Sequence, residues 1–127
     1  MKPSQFIGSV MTPFGNAFVH VGRYPAGGAI AVQLVGADTG EPLAVFSTNL
    51  APYGARIGNS EFCAKVWSEN EGLVQPMLAS GLFEDTGRVE PTGYVLAPVW
   101  RIKNPQHVPP VTQWRRAATA GGSPWSK

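Results

Sequence analysis

Apolar and polar residues alternate most cleanly in "NAFVHVGRY", where Ala17, Val19 and Val21 interleave with Phe18, His20 and Gly22. A period of two predicts a strand with one aliphatic and one aromatic face. After the turn "YPAGG", the runs "AIAVQLVGA" and "LAVFSTNL" flank "DTGEP". Asp38, Gly40 and Pro42 suit a tight reversal there, which predicts a β-hairpin centred on Thr39. "LAPYGARIGNS" reads as a loop, and "EFCAKVW" as a short strand with Phe62, Ala64 and Val66 on one face. The period then lengthens. "SENEGLVQPMLASG" predicts the one helix, with Ser68 as its cap, Glu69 and Glu71 at the positive end of its dipole, and Leu73, Val74, Met77 and Leu78 as its apolar stripe. Pro76 is tolerable in a first turn, and Gly81 is a natural stop. "GLFEDTGRVEPTG" reads as the helix exit and a polar turn. "GYVLAPVWRI" is a final strand, with Tyr94, Leu96, Pro98 and Trp100 on one side, and its Pro98 marks a sheet edge or a bulge.

From Lys103 onward no period is sustained, and prolines and glycines predict an extended arm. The organisation expected is a single α+β domain over 1–103, a mainly antiparallel sheet with one short helix packed on it, followed by a basic arm over 104–127. A small β-barrel with a short helix between strands is the alternative. A chain of 127 residues with 15 Gly and 12 Pro fits one domain of short elements.

Charge divides the chain. Residues 1–90 hold five basic and all eight acidic side chains, net −3, whereas 91–127 hold Arg101, Lys103, Arg115, Arg116 and Lys127 with no acid, net +5. A basic tail suits phosphates or an acidic protein surface, and equally serves to keep an exposed arm solvated. A single cysteine, Cys63, excludes an internal disulfide framework and a cysteine-rich zinc site. The start "MKPSQFIGSVMTPFG" lacks the unbroken apolar run of a signal peptide, and no window reaches the length of a spanning helix. Those features point to a soluble protein of a reducing compartment, the cytoplasm.

Between Ala29 and Ile102, the "AVQL" strand, the "GEPLAVFSTNL" strand, a strand-helix unit and the "TGR…GY…P.W" ending resemble a family of small uncharacterised proteins carried by bacterial plasmids, phages and integrative elements. The resemblance implies an accessory protein of a mobile element, acting in the bacterial host's cytoplasm. It brings no catalytic residues, and it leaves out the N-terminal strands and the basic tail.

Cys63 with His20 is the obvious nucleophile–base pairing, but no nucleophile turn surrounds Cys63, so a packed structural thiol is the expectation. Glu84, Asp85 and Glu90 could share acid and base roles, yet Thr86, Gly87 and Pro91 beside them read as a solvated loop tip. Two distant histidines supply no metal ligand set, and "GADTGEP" lacks the ending of a phosphate loop. Phe18, Tyr24, Trp67, Tyr94 and Trp100 would stack single-stranded nucleic acid if they shared an exposed face beside the basic arm; otherwise they are core. Trp and Arg anchor protein interfaces, which makes Trp100, Arg101, Trp114, Arg115 and Arg116 the candidate partner-binding residues. The expected function is non-enzymatic and cofactor-free: a chain that docks on a protein partner, as an inhibitor of a host defence complex such as a CRISPR effector would. A nucleic-acid binder and a virion or assembly component are the alternatives.

Overall fold

The computed structural model of the chain describes residues 5–50, 52, 54–91 and 96–110. It is an α+β structure of two antiparallel four-stranded sheets and one short helical segment. The first sheet has the order β1 (Gln5–Thr12), β2 (Gly15–Arg23), β3 (Ile30–Gly36) and β4 (Pro42–Val45). The second runs β5 (Ser47–Thr48), β6 (Glu61–Ala64), β8 (Leu96–Ile102) and β7 (Phe83–Pro91). Successive residues of a strand point to opposite faces. Ala17, Val19 and Val21 of β2, with Ile30, Val32 and Leu34 of β3, are therefore all turned inward and buried. They meet Phe62 and Ala64 of β6, Phe83 of β7, and Trp100 and Ile102 of β8 in one core.

The hairpin centred on Thr39 is present: Gly36 N–H donates to the Glu41 carbonyl (2.8 Å), and Gly40 N–H to the Gly36 carbonyl (2.8 Å). Its second arm, expected as one strand, divides at Phe46. There the Phe46 N–H donates to the Val32 carbonyl (2.8 Å) of the first sheet, while its carbonyl accepts from Lys65 N–H (2.9 Å), just beyond β6. The Ser47 hydroxyl oxygen accepts from Val32 N–H (2.9 Å) and lies 2.9 Å from the Tyr24 hydroxyl. The chain thus passes from one sheet to the other at Phe46 with its backbone polar groups paired on both sides.

The helix differs from its expected form. Ser68–Leu73 is a 3₁₀ segment and only Val74–Ala79, here α1, is α-helical. Pro76 explains the change. In one continuous helix from Ser68 it would stand in the interior, without an N–H and with its ring against a preceding carbonyl; a helix beginning at Val74 moves it into the first turn. Ser68 is no cap: it adopts a left-handed φ of 61° and makes no capping hydrogen bond. Gly81 ends the segment at φ 78° as expected. Leu73 and Met77 are buried, with Val74 and Leu78 packed beside them. Asn70 is fully buried and its side-chain amide donates to the carbonyls of Val45 (2.8 Å) and Lys65 (2.9 Å), tying the 3₁₀ segment to the ends of β4 and β6.

Two strands escaped the sequence pattern. β1 lies in a stretch whose alternation slips at a bulge between Phe6 and Gly8, where Gly8 adopts φ 157°. β7 replaces the expected polar turn. Its Thr86-Gly87-Arg88 is a bulge within a strand at the sheet edge, where polar side chains and irregular pairing are common. Pro98 sits opposite Val89 at the flank of that bulge, on the central strand β8. Residues 104–110, the described start of the arm, lie against the body. Arg23 donates to the carbonyls of Gly28 (3.1 Å), Asn59 (2.9 Å) and Pro109 (2.9 Å), and Val108 packs on the core. The arm from 111 to 127 lies outside the described residues.

Replacing Asn70 by Ala removes the donor to two partly buried carbonyls, so Asn70→Ala should lower stability by about 2 kcal/mol. A shifted urea midpoint with an unchanged slope is the expected observation; an unmoved midpoint would show that the 3₁₀ segment is held by other contacts.

Candidate functional site

The outer faces of the two sheets differ in kind. Across the second sheet, Glu61, Arg101 and Glu84 stand in one cross-strand row, with Arg101 paired to Glu84 and Arg88 paired to Glu61. The rest of that face is roofed by the loop after β5. Leu50, Cys63 and Ala97 are buried there in a small second core, with Ala55, Ile57 and Trp67 against it.

The first sheet has no such cover among the described residues. Its outward positions form two registered rows, Phe6–His20–Gln33–Val45 and Ser9–Phe18–Val35–Pro42. Met11, opposite Asn16, extends the face along β1. No Asp, Glu, Lys or Arg belongs to this set. Phe6 is 55% exposed, Met11 70% and Val45 48%, while Phe18, His20, Gln33 and Val35 between them are half-buried by one another. The Phe6 ring meets Phe18 edge-on at 5.4 Å and His20 at 5.9 Å, so the tall aromatic side chains stand together over β1 and β2. Contiguous exposed apolar surface of this kind marks contact sites in soluble proteins.

The residues singled out from the sequence are dispersed. Trp100 is 1% exposed and packs on Phe46 at 5.0 Å, so it belongs to the core and offers no surface contact. Arg101 is exposed but held by Glu84. Trp114, Arg115 and Arg116, like Tyr94, lie outside the described residues. Of the other aromatics, Tyr24 is bonded to Ser47 and Trp67 roofs the second sheet; Phe18 alone lies on the bare face. Its companions Phe6 and Met11 were missed because β1 was missed. The signal was present as Ile7, Val10 and Thr12 inward against Phe6 and Met11 outward, once a one-residue slip at Gly8 is allowed.

Catalytic pairings are not assembled either. Cys63 lies in the small core of the second sheet and His20 on the outside of the first. Burial pushes the Cys63 thiol up to about 11; the Glu90 carboxylate adds to this, and Arg88 opposes it. Such a thiol is a poor nucleophile at neutral pH. Glu84 is engaged by Arg101, and Asp85 accepts a hydrogen bond from the Gly87 N–H (2.9 Å) within the bulge. Among the described residues no three His, Cys, Asp or Glu side chains gather where they could hold a metal ion. Nor is any described helix long and apolar enough to cross a membrane. In comparisons with known proteins, no family model, curated protein or solved structure matches the chain.

The raised thiol pKa carries a sign. The folded state keeps the proton that an unfolded chain loses above its ordinary value near 9, so this contribution to stability is complete below pH 9 and is lost as pH rises through 11. Urea midpoints should fall over that interval, with at most about 1.4 kcal/mol per pH unit from this group. Cys63→Ala should make the decline shallower; parallel declines in the two proteins would contradict the buried thiol.

Proposed function

We propose that this chain acts by contact with protein, without turnover, and that the outer face of its first sheet is the contact surface. The observation that carries the reading is the uncharged patch of Phe6, Met11, Phe18, Val35 and Val45 on a sheet whose opposite face is fully packed. The contrast with the roofed, ion-paired second sheet supports it, because the described residues cover the outer face of the second sheet and not that of the first. A nucleic-acid platform on this face would bring aromatic rings but none of the cations that phosphate binding depends on. The buried, proton-retaining Cys63 and the scattered carboxylates favour occupancy of a surface over chemistry.

The resemblance to mobile-element proteins supplies the setting in which to look: a bacterial cytoplasm, with a defence complex such as a CRISPR effector as the first partner to try. Tagged full-length chain drawn from a host extract should retain a protein in stoichiometric amount, either an untagged copy of itself or a host component. Phe18→Glu, placed on a half-exposed position, should keep the melting temperature and lose that protein. Retention by both chains would remove the face from the contact, and retention of nucleic acid alone would favour the other class.

A further inference from the structure

The chain leaves the second sheet at Ile102, the end of β8, and the residues that follow cross to the first sheet. The Lys103 N–H donates to the Leu82 carbonyl (3.1 Å). Pro105–His107 is a 3₁₀ turn, and the Asn104 side chain accepts from its Gln106 N–H (2.9 Å). The Gln106 carbonyl accepts from the Gln5 side chain (3.3 Å) at the start of β1, Val108 packs on the core, and Pro109 is buried. Residues 104–110 thus run from the end of a second-sheet strand to the ends of β1 and β2.

Arg23, the last residue of β2, fastens them there. Its Nη1 donates to the Gly28 carbonyl (3.1 Å), and its Nη2 to the carbonyls of Asn59 (2.9 Å) and Pro109 (2.9 Å). The three acceptors belong to three separate segments: the turn after β2, the loop before β6, and the crossing segment. The turn and the loop are also the walls of a cleft of about 230 Å³, lined by Arg23, Gly28, Ala29, Ile57 and Gly58 among others. A guanidinium suits this position, because its planar fork fixes several donors at once, stays charged, and makes hydrogen bonds stronger than neutral ones. Three carbonyls gathered on one cation also depend on one another, since each is held by the group that holds the other two. Asn49 gives the turn a further tie to the loop side through the Ala26 carbonyl (3.0 Å), but that bond does not reach the crossing segment.

We infer that residues 104–110 are a strap closed by Arg23, and that strap, turn and cleft-lining loop open and close as one unit. Segments that share a fastening and bury little of the main core are those that open below the threshold of global unfolding. Of the strap, Val108 is the residue that packs on the shared core, so opening the strap leaves the meeting of the two sheets intact. The basic segment after Pro110 is joined to the body through this unit, and one side chain sets the point from which it departs.

Amide hydrogen exchange of the full chain tests the inference. The N–H groups of Gly28, Glu61, His107 and Val108 each donate within one of the three segments, whereas the Phe46 N–H donates between the sheets. In wild type those four should share one level of protection, below that of Phe46. Arg23→Met, which keeps much of the apolar stem, should speed exchange at all four at least about tenfold and leave Phe46 unchanged. Val108→Ala, which leaves the guanidinium in place, should speed Gly28 and Glu61 as well, because coupling between parts of a unit is mutual. Faster exchange confined to His107 and Val108 would show a strap that moves alone and would overturn the unit. Unchanged exchange at His107 and Val108 in Arg23→Met would show that Arg23 does not close the strap. Should Arg23→Met also expose Phe46, Val108→Ala decides on the same amides; loss of Phe46 protection there too would make the strap inseparable from the global fold and overturn the inference.

Discussion

The architecture depends on how the chain crosses between its sheets at Phe46 and Ser47. A strand that leaves one sheet for another exposes backbone donors and acceptors in mid-passage, and in a buried position each must find a partner. Here the Phe46 N–H and the Ser47 hydroxyl bind the two sides of Val32 on β3, the Phe46 carbonyl accepts from Lys65 beyond β6, and the Phe46 ring drops onto Trp100. One residue thereby pairs both sheets and contributes to the aromatic centre of the core, where Phe62 and Phe83 surround the same indole.

Joining the sheets at that point fixes which surfaces remain. The inner faces meet in the shared core except at the far end of β7 and β8, where Val89 and Leu96 stay exposed, and the helical segment is fastened by Asn70 to the ends of β4 and β6. The loop between β5 and β6 folds back on its own sheet through Leu50, Ala55 and Ile57, while Asn49 donates to the Ala26 carbonyl (3.0 Å) and the Asn59 carbonyl accepts from Arg23 (2.9 Å) at the turn after β2. Among the described residues no comparable loop serves the first sheet, whose connections are short: the turn at Pro13 and Phe14, the turn after Arg23, and the hairpin at Thr39. Among the described residues, the lack of a roof over this face follows from the lengths of these connections as much as from the residues upon it.

Much of this was legible in the residues where one physical signal dominated. The strict alternation of β2 and the turn chemistry between β3 and β4 located both elements, and Leu73 and Met77 located the buried side of the helical segment. Legibility failed where two constraints competed. At Gly8 a bulge shifts the period by one, so Phe6 and Met11 share a face that simple alternation denies them. At Thr86-Gly87-Arg88 turn-forming residues make a bulge because β8 supplies a ladder on the other side, a fact of topology and not of local sequence. At Ser68 the capping preference yields to the proline eight residues on. Trp100 shows the remaining difficulty: its residue type is equally suited to an interface and to a core, and only the register of β8 between β6 and β7 decides for the core. The candidate face was visible in the sequence through the alternation that put Phe18 and His20 on one side of β2.

The central claim, that the outer face of the first sheet is a contact surface, is most directly tested by hydroxyl-radical labelling of the full chain over a range of concentrations. Phe6 and Phe14 are both largely exposed, at 55% and 68%, but Phe6 lies on the face and Phe14 in the hairpin turn beyond it; Phe46, fully buried, is the internal reference. The account predicts that labelling of Phe6 falls when the chain is concentrated or placed in host extract, while Phe14 and Phe46 keep their rates. Equal rates for Phe6 at every concentration, in the chain alone and in host extract, would contradict it.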